Sequence, residues 1–80
     1  MTREQLAAQA VGLRSTAETM IKAGKGNASV DVATQSLMQA LVQAAQQLFP
    51  SNTVIAALRT SPGSNYAEAL AVANAVYGAS

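Results

Sequence analysis

Residues 30–50 read VDVATQSLMQALVQAAQQLFP, and their spacing predicts one long amphipathic helix from about Val30 to Phe49. Val30, Ala33, Leu37, Leu41, Ala44 and Leu48 recur at three- and four-residue intervals, which stacks them on one helix face. A second row, Met38, Val42, Ala45 and Phe49, lies beside the first, so that about half the circumference is apolar. Gln35, Ser36, Gln39, Gln43 and Gln46 fill the opposite face. Ser29 is the expected N-cap, and Asp31 suits the positive end of the helix dipole. Pro50 stops the helix, because the residue before a proline resists the helical region.

No charged residue occurs between Asp31 and Arg59, a stretch long enough to span a bilayer at about 20 residues. The glutamines argue against a span. Polar groups unsatisfied in lipid cost several kcal/mol each. The expectation is a chain without a membrane partner.

Upstream, a first helix is expected from Arg3 to Ala23, capped by Thr2 with Gln5 completing a capping box. Leu6, Ala10, Leu13, Ala17, Met20 and Ile21 form its narrower apolar stripe. Glu18 and Lys22 stand in the favourable order for an ion pair one turn apart. Gly24 and Gly26 are expected to supply the left-handed backbone that ends it. The turn Gly24–Ser29 is short, so these two helices should form an antiparallel hairpin.

Downstream, Ser51-Asn52-Thr53 carries N-cap chemistry, and a short helix is expected over Thr53–Arg59 with Val54, Ile55 and Leu58 as its apolar side chains. Ser61-Pro62-Gly63-Ser64 signals a turn. A last helix is expected from Tyr66 to Tyr77, capped by Asn65 with Glu68 in a box-like position and ended by Gly78. It is apolar around most of its surface, with Val72 and Val76 prominent, and such helices are normally covered. The fold class is therefore all-α. Residues 1–80 should make a single domain of three to four helices: an N-terminal hairpin, a short third helix and a C-terminal helix.

Composition narrows the functions. Half of the 80 residues are apolar, but eighteen of those are alanine, which favours helix and builds a thin core. Charged residues make up 11%, with a net charge of +1, too weak a field for nucleic acid or an anionic membrane. There is no cysteine and no histidine, which excludes disulfides, thiolate chemistry, a histidine-based triad and a Cys/His metal site. Glu4, Glu18, Asp31 and Glu68 are scattered, and each has a structural use on its helix. The expectations are no enzyme, no cofactor and no metal. The Gly24–Ser29 turn has some of the features of an anion cradle but not the spacing of a phosphate-binding loop. The N-terminal residues lack the apolar run of a signal peptide, which with the missing cysteine favours the cytoplasm over secretion.

The feature that stands out is apolar arc in excess of what so short a chain can cover. Below roughly 70–80 residues domains often need reinforcement, and self-association is one form of it. Met38, Val42, Ala45, Phe49, Val72 and Val76 are accordingly expected to bind a partner, either a second copy or another helical protein. The alternative expectation is a small DNA-associated regulator of helix-turn-helix type, with Arg14, Lys22 and Lys25 as a basic edge. The last helix has no basic residue to offer a phosphate, which weighs against that reading.

Overall fold

The computed structural model describes residues 1–59 and 65–80; the expected Ser61–Ser64 turn lies outside the described residues. Among the described residues four helices follow in order: α1 (Arg3–Lys22), α2 (Val32–Leu48), α3 (Thr53–Ala56) and α4 (Tyr66–Ala79). The molecule is all-α, as its periodicity requires.

Local chemistry explains each helix end. The Thr2 hydroxyl accepts the Gln5 N–H at 3.2 Å, and the Gln5 side chain accepts the Thr2 N–H at 3.0 Å, closing the capping box. At the other end the Lys25 N–H reaches the Met20 carbonyl at 2.9 Å and the Gly24 N–H reaches Ile21 at 3.0 Å. This is the Schellman arrangement, and it requires the left-handed φ of 78° at Gly24. Gly26 is not left-handed, contrary to expectation. Its carbonyl instead accepts the Ala67 N–H at 3.0 Å, tying the first turn to the start of α4.

That tie moves the start of α2. Ser29 pairs with Asn65 in an isolated bridge, so Ser29 is spent and Asp31 caps the helix in its place. The Asp31 carboxylate accepts the Thr34 N–H at 2.8 Å. The Thr34 hydroxyl and backbone N–H together hold its pKa below the ordinary carboxylate value. Asn52 and Asn65 cap α3 and α4 in the same way, accepting from Ile55 at 3.0 Å and Glu68 at 2.8 Å. Helix α3 is shorter than expected, and α4 continues through Gly78 to Ala79.

The cross-helix contacts give the topology. Arg3 lies over the Phe49 ring, 5.1 Å from its centroid, so the start of α1 meets the end of α2. Gly26 meets Ala67 while Arg14 lies 4.7 Å over the Tyr77 ring, so α4 also runs antiparallel to α1. The α1–α4 packing is the most extensive in the molecule. Ala10 and Ala17 of α1 and Ala69 and Ala73 of α4 are all fully buried, and their small side chains let the two helices come close. Larger groups, Leu6, Leu13, Met38, Leu41, Val42, Ile55 and Val76, fill the rest of the core.

The chain closes on itself. Its accessible surface is 4498 Å², against about 4,500 Å² for a folded monomer of this mass. The Cα radius of gyration is 11.6 Å, against about 12 Å for a compact domain of this length. The expected surplus of uncovered apolar arc is not found, because α2 and α4 each pack against all three other helices rather than against one. The ion pair on α1 also differs from expectation. Arg14 approaches Glu18 at 3.7 Å in place of Glu18 with Lys22, since Arg14 is already drawn to that side by Tyr77.

Candidate functional site

The six residues expected to bind a partner separate into two groups. Met38, Val42, Ala45, Val72 and Val76 lie in the core, with Val72 the most exposed at 3%. They hold α2 and α4 inside the bundle and are not available to a partner in this fold. Phe49 differs. It is the C-cap of α2, half-buried, packed on the core by one side and covered by Arg3 on another.

Phe49 also borders a groove of about 450 Å³ lined by Gln46, Phe49, Pro50, Ala56 and Leu58. The groove forms where α2 stops and the chain turns back through α3. Pro50 forces the stop, and the Asn52 N–H bonds the Phe49 carbonyl at 3.1 Å to make the turn. Ile55, fully buried, anchors α3 to the core.

Gln46 fixes the spacing of the two walls. Its side-chain nitrogen donates to the Ile55 carbonyl at 3.3 Å and to the Leu58 carbonyl at 3.1 Å. The Ile55 carbonyl also accepts the Leu58 N–H at 3.1 Å, and the Leu58 carbonyl lies beyond the end of α3, so the amide ties α2 both to α3 and to the chain that leaves it. Periodicity places Gln46 on the polar face of α2, yet it is half-buried and bridges two parts of the chain. The available signal was its position four residues before Pro50, at the end of the glutamine row.

The other candidate sites do less. A smaller depression of about 240 Å³ runs along α1 between Val11, Arg14, Ser15, Glu18, Thr19 and Lys22. Its charges are partly paired within it, and the Thr19 hydroxyl donates to the Ser15 carbonyl at 2.9 Å. At the Gly24–Ser29 turn, the Asp31 carboxylate occupies the α2 N-terminus, where an anion would otherwise sit. Among the described residues no group of three or more Asp and Glu side chains converges to hold a metal, and no helix is long and apolar enough to cross a membrane.

The cations are also largely engaged. Arg3 stacks on Phe49, and Arg14 sits between Glu18 and Tyr77. Arg59 grips Glu68 through two bonds of 2.6 and 2.9 Å. Ala67, Ala71, Asn74 and Gly78 face outward on α4, with no side chain suited to phosphate among them. No protein-family model matches the chain, and no curated protein or solved structure matches it either.

Proposed function

We propose that the chain is a non-catalytic protein-interaction module whose contact surface is the groove at the α2–α3 junction. The observation that carries this reading is the groove itself. Its volume of about 450 Å³ falls within the range of about 300–1,000 Å³ typical of binding pockets. Phe49, Pro50, Ala56 and Leu58 supply apolar walls, Gln46 supplies polarity, and no titratable side chain is among the described lining residues. Such a lining suits binding and lacks any group that moves a proton or attacks a substrate.

The partner is another protein rather than a second copy. A stable dimer buries about 800 Å² on each partner. The larger exposed apolar side chains, Met1, Val11, Val32, Val54 and Tyr77, fall one on each helix and one at the N-terminus. Interaction therefore rests on a local groove taking one apolar side chain, with the core row left to stability.

Selection from a displayed library of random linear peptides tests the reading. Peptides enriched on the wild-type chain should carry an apolar anchor and should lose binding to Ala56→Glu, which places a charge in the groove at an exposed position. Binding to Ala71→Glu, on the outward face of α4, should be unchanged. A selection yielding no peptide that distinguishes the two variants refutes it.

A further inference from the structure

We infer that the groove takes an extended, neutral backbone segment of the partner, whose N–H groups pair with acceptors on Gln46 beside the apolar anchor. This rests on the groove being the contact surface, and it concerns what the groove asks of its occupant.

The hydrogen bonds of Gln46 limit what the groove can take. Its side-chain nitrogen is committed to the Ile55 and Leu58 carbonyls, which fixes the amide and directs both donors at α3. The oxygen of the same amide takes no part in those bonds. No hydrogen bond reaches it among the described residues, and it is not a buried atom lacking a partner. The backbone supplies a second acceptor. In a continuing helix the Gln46 carbonyl would receive the N–H four residues on, but that position is Pro50, which has none. Among the described residues, one groove-lining residue therefore carries two acceptors without a hydrogen-bonded partner.

The charge environment then selects the donor. The groove sits at the C-terminal end of α2, where unpaired carbonyls concentrate partial negative charge. Helix α2 has no basic residue in its last turn. This end attracts donors. A cationic donor is disfavoured, because the Arg3 guanidinium already lies 5.1 Å from the Phe49 ring on the groove wall. Partial positive charge without full charge describes a backbone N–H.

The geometry of the partner follows. A helix laid along the groove spends its N–H groups internally beyond its first turn, so the residues beside a mid-helix anchor have none to give. An extended segment leaves its N–H groups free and places apolar side chains on one side at every second residue. It can lower one side chain between Phe49, Pro50 and Leu58 while donating to Gln46. Such an occupant differs from the helical partner expected from the sequence.

The test uses the enriched linear peptides and synthetic versions of them. Methylating the backbone nitrogen at or next to the apolar anchor removes the donor and keeps the side chain. Affinity for the full wild-type chain, measured by titration calorimetry, should fall by about three- to tenfold at one such position. Methylation at residues remote from the anchor should leave it unchanged. The bound peptide should also show extended backbone couplings by NMR. Peptides that bind through Ala56, yet are helical when bound or indifferent to methylation everywhere, overturn this inference and leave the groove as the contact surface. A selection giving no Ala56-dependent peptide overturns both.

Discussion

Met38→Ala is the change that most directly separates a core from an interface. Met38 sits in the middle of α2 and is fully buried by its own chain. Truncation removes the side chain beyond Cβ and leaves a cavity that the surrounding Leu, Val and Ala groups fill only partly. The loss expected for such a site is about 2–5 kcal/mol. Alanine is the better helix former, so none of that loss comes from helix propensity. Domains of this size have about 4–12 kcal/mol of total stability, so the loss is a large share of the total. Its melting temperature should fall by roughly 8 °C or more. Val32→Ala is the matched control, on the same helix but 80% exposed, and should change stability by less than about 0.5 kcal/mol. Urea unfolding followed by far-ultraviolet circular dichroism measures both, at protein concentrations about a hundredfold apart. If the core is intramolecular, the midpoint does not move with concentration. A Met38→Ala variant as stable as Val32→Ala, or a wild-type midpoint that climbs with concentration, would falsify the assignment of this row to the monomer core.

Two further outcomes follow from particular contacts. Gln46→Leu removes the donor to the Ile55 and Leu58 carbonyls and should cost about 1–2 kcal/mol, with hydrogen-exchange protection lost at α3 first and retained at the α1–α4 seam. Asp31 gives the molecule an acid dependence. Its folded pKa lies below 3.8, so the unfolded chain binds more protons, and the stability its cap supplies is complete above that value and lost as pH falls toward the folded pKa. Asp31→Asn keeps an N-cap side chain but cannot titrate there, so its urea midpoint should vary less across that acid range than that of wild type, and equal slopes would remove Asp31 as the source.

Much of the fold was legible in the sequence because helix periodicity and capping are local. Thr2, Asn52 and Asn65 cap where their side chains and spacing require, and Gly24 and Pro50 end α1 and α2. The misplaced boundary at α2 has a non-local cause. Ser29 is a good cap by type, but it is drawn into the bridge with Asn65, a residue remote in sequence. Gln46 was misread for a related reason. The periodicity that puts it on the outer face is correct for α2, but α3 folds back over that edge and half-buries it.

The sequence by itself determined that this is a helical chain, with no cysteine or histidine chemistry and little charge. It also located the apolar faces of its helices. Only the tertiary structure decided which faces meet each other and which meet water. An apolar row has the same pattern whether a neighbouring helix of the same chain or a second molecule covers it, because burial depends on the position of other elements and not on the row. Here buried alanines let α1 and α4 pack closely, and α3 returns across the end of α2. The row from Met38 to Ala45 is closed by that arrangement, and the groove beside Phe49 is left open.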